Sequence, residues 1–259
     1  MEAALEAGKY YEYSQQAKSK FFKFKLRSKE KEMKDLVNTV MEKLVASGEK
    51  SLIRDWGEYY FENWIKDTKE FDEFFFKISK LAFIHGDKEN KYSFLKRMIN
   101  ASKNKTGQLS ELMAETCMSE KQYLKAYVYS LKANKPYMTI ELLNNHIIKE
   151  GYTNEVDLFK IRAVLEYISF GLIGSAQICI DKLWEGEEYN SYKNIGDAVL
   201  LCIEKERFDI FKQIPIFYKA ILATDMHIGD YLNKISTVHF GRPLKEPNAI
   251  QQMFQSMFS

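Results

Sequence analysis

Residues 156–168 carry the pattern that most constrains the fold of this chain. Their apolar side chains follow helical spacing on two stripes instead of one. The stripes are Val156, Phe159, Ala163 and Tyr167, and Leu158, Ile161, Leu165 and Ile168. A surface helix needs only one apolar stripe, so a helix with two is expected to be packed on both sides. This segment therefore predicts a helix sandwiched between helices, which is typical of a stacked helical array.

The residues before this segment mark where the helix begins. Gly151 suits the left-handed position that ends a preceding helix, and Thr153 or Asn154 can cap the next one. Glu155 and Asp157 place negative charge in the first turn, where the helix dipole favours it. A helix boundary is therefore expected just before residue 156.

Few residues in the chain interrupt helices. The 259 residues include 4 prolines and 12 glycines, which favours long helices over a turn-rich β fold. Hardly any stretch alternates with period two. We expect an all-α chain, an irregular α-solenoid of antiparallel helical hairpins in a tetratricopeptide-like right-handed array. It should form a single solenoid over 1–241, with halves at about 1–118 and 119–241, followed by a linker and short amphipathic tail at 242–259.

Three short segments have the form of helix starts. They read Gly8-Lys9-Tyr10-Tyr11, Glu120-Lys121-Gln122-Tyr123 and Glu206-Arg207-Phe208. Each resembles the opening of a degenerate tetratricopeptide repeat. Their separations do not share the period of about 34 residues that such repeats have, so the sequence predicts irregular hairpins with short polar turns.

Charge and cysteine content narrow the class of protein. Lys plus Arg is 38 against 36 for Asp plus Glu, a formal net charge of +2, and this total indicates no polyanionic partner. Cys117, Cys179 and Cys202 lie far apart and lack CxxC spacing, so we expect buried, reduced thiols in a cytoplasmic protein. No signal-peptide core opens the chain, and the longest uncharged stretch, 167–180, is too short to span a bilayer.

Catalytic chemistry has little support in the sequence. The four histidines fall near predicted helix ends or turns, with no cysteine or second histidine at metal-ligand spacing. They are His85, His146, His227 and His239. The segment Gly171-Leu172-Ile173-Gly174-Ser175 superficially resembles a phosphate loop, but it follows a helix and lacks the Lys-Ser/Thr ending. We expect no catalytic residue, no cofactor and no metal.

One local charge bias lies near the N-terminus. It comprises Lys18, Lys20, Lys23, Lys25, Arg27 and Lys29, with Phe21, Phe22 and Phe24 interleaved. The phenylalanines are expected on the inner face of a helix, which leaves a lysine-rich outer face. Three interpretations stay open: a solvated face, a basic docking surface for an acidic protein, and a nucleic-acid surface.

The C-terminal tail differs from the rest of the chain. The linker 242–247 contains two prolines and cannot continue a helix. Beyond it, the apolar residues have helical spacing. They are Ile250, Met253, Phe254, Met257 and Phe258. Such a stripe is either a docking peptide for a partner or a segment that folds back onto its own domain.

Three blocks of sequence carry a resemblance to a known family. They are GKYYEYSQQAK at 8–18, GYTNEVDLFKIRAVLEY at 151–167, and YLNKI with HFG at 231–241. They resemble the motifs G-x-Y-Y-E-A-H-Q-x-x-R/K, G-[FY]-x-x-E-V-D-[LM]-F…A-V-L-[EQ]-[FY] and Y-L-D-[KR]-I…[YF]-F-G of the Golgi to ER traffic protein 4 family. The order and approximate spacing agree, so the resemblance covers nearly the whole chain.

The chain departs from the family pattern at several positions. Tyr13 and Ser14 stand where the family has Ala-His, and Asn233 stands where it has Asp. In Ser51-Leu52-Ile53-Arg54-Asp55-Trp56, which resembles a small-residue turn followed by Asp-Leu, Trp56 replaces Leu. Most of these departures concern the N-terminal face.

The resemblance implies a helical-solenoid adaptor of the pathway that inserts tail-anchored proteins into the endoplasmic reticulum (ER), without catalysis of its own. It implies N-terminal helices that dock on the targeting ATPase, and C-terminal helices that hold the N-terminal segment of a ubiquitin-like scaffold protein. An elongated array with two ends and no active-site cleft agrees with this. The alternatives are a generic tetratricopeptide-like or proteasome-lid-type scaffold and, third, an RNA-binding helical protein.

For the ATPase, the resemblance places the contact on the first helices. The expected residues are Tyr11, Gln15, Lys18 and Asp55. The first three lie at i, i+4 and i+7, so one helix face presents them together. Lys18 offers charge to an acidic partner, and Asp55 is expected to bias the closed state of the ATPase. The alternative is that Tyr11 is buried in its own domain.

For the scaffold, we expect an apolar groove in the C-terminal helices. Its residues are Phe208, Phe211, Ile214, Phe217, Tyr218, Tyr231, Leu232, Ile235 and Phe240. This is more aromatic surface than one terminal hairpin can cover, and an apolar end of a solenoid implies a cap from elsewhere. The cap is the N-terminal helix of the scaffold, the chain's own 250–258 segment, or both.

Overall fold

The protein is described by a computed structural model over residues 1–68, 71–87, 91–102, 107–150, 152, 155–187 and 189–244. Within these ranges every regular element is a helix. Consecutive helices pack as hairpins, so the predicted all-α solenoid class is confirmed. The chain divides into two compact units, Met1–Glu115 and Thr116–Ser259. The single solenoid over 1–241 stays a prediction, and the predictions for Gly151, Thr153, Asn154 and the tail 245–259 lie outside the described residues.

The N-terminal unit is a series of helices, most of which pack on the next. They are α1 (Glu2–Glu6), α2 (Tyr10–Leu26), α3 (Glu30–Ser47), α4 (Lys50–Tyr60, a π-helical stretch Phe61–Ile65 and a last α-helical turn Lys66–Thr68), α5 (Glu73–His85), α6 (Lys91–Ala101) and α7 (Gly107–Ser119). The boundary of the unit falls within α7. A positive φ of 68° at Gly8 separates α1 from α2.

Aromatic packing holds α2 against α4. The buried rings of Phe21 and Trp56 meet edge to face with centroids 6.5 Å apart, and the indole nitrogen of Trp56 donates to the hydroxyl of Ser14 at 3.0 Å. The next contact, between α4 and α5, depends on Gly57. A Cβ at this position would lie 2.4 Å from the Cβ of Ala82, so the two helices approach closely only because the residue is glycine.

Seven of the turns between described helices share one backbone geometry. A residue with positive φ is followed by a residue near the inverse γ region, at about φ −75° and ψ +65°, and the next residue starts the helix. The pairs are Gly8–Lys9, Ser28–Lys29, Gly48–Glu49, Lys121–Gln122, Asn134–Lys135, Gly171–Leu172 and Glu206–Arg207.

Hydrogen bonds close each of these turns in the same manner. After α12 (Ser191–Glu204), for example, the N–H of Arg207 donates to the carbonyl of Cys202 at 2.8 Å, and that of Glu206 to Ile203 at 3.1 Å. This pairing is the Schellman motif of helix C-termini. The three helix starts recognised in the sequence are members of this set, so their likeness reflects a shared turn and not a regular repeat.

The C-terminal unit continues the series. Its helices are α8 (Tyr123–Lys132), α9 (Pro136–Leu142, a π-helical stretch Leu143–Ile147 and Ile148–Glu150), α10 (Val156–Ser169), α11 (Ile173–Leu183), α12, α13 (Phe208–Phe211), α14 (Ile214–Phe217), α15 (Lys219–Thr224) and α16 (Met226–Phe240). Three short helices occupy 208–224, and Pro215 lies in the first turn of α14, where its missing N–H costs little.

Helix α10 is the centre of this unit. From Lys160 to Ser169, every residue except Arg162 and Glu166 is buried. The helix packs against α11, α12 and α16. Both of its apolar stripes are therefore covered over this stretch, and the predicted sandwiched helix is confirmed.

The packing of the helices also buries the three cysteines. Cys117, Cys179 and Cys202 are free thiols and all three are buried. Burial raises the pKa of Cys179 to about 12, which keeps it protonated and unreactive at neutral pH.

In the part of the chain that the structure describes, no helix has the length and apolar composition needed to cross a bilayer.

Candidate protein-interaction surfaces

The N-terminal surface is built on the first turns of α2. Tyr11 is 67% exposed, so the alternative in which it is buried is wrong. Gln15 is also exposed and lies one turn further along the same face. Lys18 follows but is largely covered, because its side chain lies against α4.

Lys18 and Asp55 are brought together by the packing of α2 on α4. The ammonium nitrogen of Lys18 lies 2.5 Å from a carboxylate oxygen of Asp55 and 4.9 Å from the ring centroid of Tyr59. Asp55 keeps about half of its side chain exposed. The four residues predicted for the ATPase therefore form one surface, in which Tyr11 and Gln15 are open and the two charges are already paired.

Two further residues of this basic segment, Lys25 and Lys29, are engaged within the unit. Lys25 bonds to the carbonyl of Asn63 and lies 2.9 Å from Asp67. Lys29 pairs with Glu32 at 2.9 Å. These contacts favour the solvated-face interpretation over a free lysine stripe for nucleic acid. Phe22 is exposed, so its predicted place on the inner face is wrong.

The predicted scaffold groove divides into buried and accessible residues. Four of the nine predicted residues are buried in the core of the C-terminal unit. They are Phe211, Ile214, Leu232 and Ile235. These four residues cannot contact a partner directly in this structure, because α10, α12 and the other helices of the unit already cover them. They support the surface from below.

Four more of the predicted residues are half-buried and pack on that core. They are Phe208, Tyr218, Tyr231 and Phe240. The ring of Phe240 lies 5.4 Å from that of Phe208 and 5.1 Å from that of Phe211. The guanidinium of Arg242 covers Phe208 at 5.0 Å. This aromatic cluster is therefore satisfied within the unit over much of its surface.

Phe217 is the one predicted groove residue that is fully accessible, with 81% of its surface exposed. Sequence reasoning missed other exposed apolar side chains of the C-terminal helices. They are Leu201, Ile210, Ile216, Met226 and Val238. Their exposure depends on the packing of several helices, so no pattern in the sequence indicated it. Together with Phe217 they define what we call the C-terminal apolar set.

Polar contacts fix α16 to α10. Arg162 donates from its Nε to the buried carboxylate of Asp225 at 2.6 Å, and the ring of His239 bonds to the carbonyl of Ile168 at 2.8 Å. Burial by itself would raise the pKa of Asp225. The hydrogen bonds from Arg162 and from the N–H of His227 outweigh burial and lower it.

The pKa of Glu166, on the same pair of helices, is shifted in the opposite direction to that of Asp225. Its carboxylate accepts a long hydrogen bond of 3.4 Å from the hydroxyl of Tyr231. Burial raises the pKa of Glu166, and that bond only partly offsets the effect. Burial beside this carboxylate likewise raises the pKa of Tyr231 to about 12. The hydroxyl of Tyr231, a predicted scaffold residue, is therefore already engaged in a hydrogen bond within the unit.

Fold and surfaces together define the class of protein: a helical-hairpin solenoid whose exposed features suit the binding of other proteins. Residues 27–258 match the sequence model of the family GET4, Golgi to ER traffic protein 4, and the chain belongs to this family. Membership supports a role in the traffic pathway that gives the family its name.

Individual relatives agree with this assignment. The chain is 22% identical over 264 residues to the human Golgi to ER traffic protein 4 homolog, covering 96% of this chain and 81% of the relative. For the Oryzias latipes homolog the identity is 24% over 261 residues, with 95% and 81% covered. A crystal structure of C. therm. Get4 superposes with a TM-score of 0.72 at 18% identity, over 96% of this chain and 89% of that one. This structural likeness shows the fold.

Proposed function

We propose that the protein is a cytoplasmic, non-enzymatic adaptor in the post-translational targeting of tail-anchored membrane proteins to the ER. It bridges the targeting ATPase, bound at the Tyr11–Gln15 face of α2, and a ubiquitin-like scaffold protein, bound at the C-terminal apolar set. Membership of the traffic family supports the pathway. The observation that carries the bridging role is the exposure of Phe217, since the other eight residues predicted for the scaffold are buried or half-buried.

The direct test is co-purification from the native cytosol, with identification of the bound proteins. The proposal requires both an ATPase and a ubiquitin-like protein among them. Recovery of proteasome-lid subunits alone, or of RNA retained at physiological salt, would favour one of the alternative classes.

The first prediction concerns the scaffold surface. Phe217→Ala is expected to weaken scaffold binding by roughly tenfold to 150-fold, because burial of an aromatic anchor contributes about 1.5–3 kcal/mol. Thermal stability should not change, since the ring is exposed in the free protein. Tyr137→Ala is the matched control, because Tyr137 is an exposed aromatic residue of the same unit outside the set. Equal titration curves for the two variants would remove Phe217 from the interface.

The second prediction concerns the ATPase surface. Lys18→Glu sets two carboxylates against each other, since Asp55 is its partner. The double variant Lys18→Glu, Asp55→Lys restores the pair with its polarity reversed. We expect both variants to bind the ATPase roughly fivefold more weakly at low salt, a loss of about 1 kcal/mol, with the difference shrinking as salt rises.

The double variant separates the two roles of this ion pair. If the pair only holds α2 against α4, the reversed pair should restore binding along with stability. Calorimetric titration of the ATPase with the wild type, the single variant and the double variant would show this. Full recovery of affinity in the double variant contradicts a direct contact by these charges.

A further inference from the structure

A groove with a volume of about 560 Å³ opens beside the start of α8, which packs against α9 and α10 in the C-terminal unit. The described residues that line it are Lys121, Gln122, Tyr123, Leu124, Lys125, Ile147 and Phe159. These residues are distinct from the C-terminal apolar set and from the exposed face of α2. A groove of this volume is large enough to enclose a few side chains of a bound peptide.

The apolar wall of the groove consists of Tyr123, Ile147 and Phe159. Ile147 is buried and the two rings are half-buried. The ring of Tyr123 stacks on the imidazole of His146, with centroids 3.7 Å apart and planes 7° apart. His146 and Ile147 lie in the π-helical stretch of α9, and such irregular turns occur often at functional sites. Because this wall is held by packing within the unit, a ligand meets a preformed surface and binds at a smaller entropic cost.

The charged residues that line the groove are both lysines. Lys121 and Lys125 are exposed. The ammonium group of Lys125 donates to the side-chain oxygen of Gln122 at 2.8 Å, which fixes its position at the groove. Glu120 precedes Lys121 but does not line the groove, and its carboxylate accepts a hydrogen bond of 3.1 Å from the amide of Gln122. The groove therefore combines an apolar wall with positive charge.

We propose that this groove binds a short acidic segment of another protein. An apolar side chain of the segment lies between the apolar wall and Leu124, which is 68% exposed, and flanking carboxylates lie beside Lys121 and Lys125. Charge complementarity favours this occupant. A nucleic acid would stack its bases on open rings, and one face of Tyr123 is already covered by His146. The groove adds a third interaction surface to the two of the proposed function and does not depend on them.

Peptide titration of the full-length protein tests the groove. The probes are hexapeptides with a central pair drawn from leucine, isoleucine and phenylalanine, with aspartate or glutamate on both sides and an uncharged dye at the N-terminus. In the control set, lysine replaces every acidic residue. Fluorescence anisotropy should show the best acidic peptide binding about tenfold more tightly than its lysine counterpart at low salt. This difference should shrink as the salt concentration rises.

Lys121→Gly separates binding from folding. Lys121 has a positive φ of 60°, which glycine adopts without a steric penalty, so the variant should unfold at a temperature no lower than that of the wild type. Its affinity for the best acidic peptide should fall about threefold to fivefold, because one partly exposed charge is lost. Glu206→Gly is the matched control, since Glu206 has a φ of 52° in an equivalent turn of the same unit. It should bind the peptide as the wild type does.

Leu124→Ser tests the apolar part of the groove. It should weaken binding of the same peptide about fivefold, because it removes apolar surface that the ligand would cover. Val128→Ser is the control, because Val128 is an exposed apolar residue one turn further along α8 that does not line the groove. Its affinity should equal that of the wild type.

Several results would overturn the proposal. Acidic and lysine peptides that bind alike would do so, as would equal losses of affinity in Lys121→Gly and Glu206→Gly. Tighter binding of an oligouridylate than of any acidic peptide would assign the groove to nucleic acid instead. A wild-type protein that is dimeric by light scattering, with Leu124→Ser monomeric, would assign it to a second copy of the chain. These experiments require neither the scaffold nor the ATPase, so their outcome is independent of the proposed function.

Discussion

Replacing Phe211 with alanine is expected to lower the free energy of unfolding by about 3–5 kcal/mol, the range for a fully buried phenylalanine. Phe211 is 0% exposed and is part of the core beneath α16. Its ring lies 5.1 Å from that of Phe240, so truncation leaves a cavity and removes an aromatic contact. Chemical denaturation of the C-terminal unit, monitored by circular dichroism, would measure the change.

Phe217→Ala is the control for this experiment, because it removes a ring of the same kind from an exposed position. Its unfolding curve should match that of the wild type. Scaffold binding should fall in both variants for different reasons: Phe217 loses a contact, while Phe211 loses the structure beneath the contact. A fully stable Phe211→Ala protein that still lost binding would mean that Phe211 reaches the partner directly.

Helix α10 shows what periodicity can predict. Two apolar stripes on one segment require packing on both sides wherever the partner helices come from, and the structure covers both over 160–169. The start of this helix was predicted equally well, since α10 begins at Val156. Local rules sufficed here because the spacing of the apolar residues within a helix indicates which of its faces is buried.

The C-terminal surface shows where the same reasoning fails. Periodicity indicated correctly that Phe211 and Ile235 lie on apolar faces, but it does not say what covers a face. The structure covers both with helices of their own unit. The accessible residues, such as Met226 and Ile216, lie outside those stripes and were missed. Which apolar residue is left exposed depends on the packing of several helices, which no single segment encodes.

The N-terminal surface illustrates a different limit. The i, i+4, i+7 spacing placed Tyr11, Gln15 and Lys18 on one face of α2, and that grouping is present. The partner of Lys18 lies 37 residues further on. The resemblance brought Asp55 into the same set, but the pairing depends on the packing of Phe21 and Trp56 between the two helices. Such pairing becomes visible only once helices are packed.

Asp225→Ala is expected to lower the free energy of unfolding by about 2–4 kcal/mol. Asp225 caps α16 by accepting the N–H of His227 at 3.0 Å, a contribution of about 1 kcal/mol. It also accepts the charged hydrogen bond from Arg162 at 2.6 Å, and such bonds contribute about 1.5–3 kcal/mol. Asp225→Asn keeps a capping oxygen and loses only the charge, so its effect should be intermediate.

The pH dependence of this variant series has a defined sign. The pKa of Asp225 is lowered on folding, so its stabilising effect is present above the unfolded value of about 3.9 and is lost as the pH falls through the folded value. The pKa of Glu166 is raised on folding, so its effect is present below about 4.3 and is lost as the pH rises through the folded value.

Denaturation curves between pH 2 and pH 7 therefore separate the two carboxylates. The stability gap between the wild type and Asp225→Asn should be constant near neutral pH and should close below about pH 4. Glu166→Gln should instead gain on the wild type as the pH rises above about 4.3, because it removes a carboxylate that burial disfavours. A gap for Asp225→Asn that stays open at pH 2 would mean that the Arg162 bond contributes no charge-dependent stability, and that Asp225 acts only as a cap of α16.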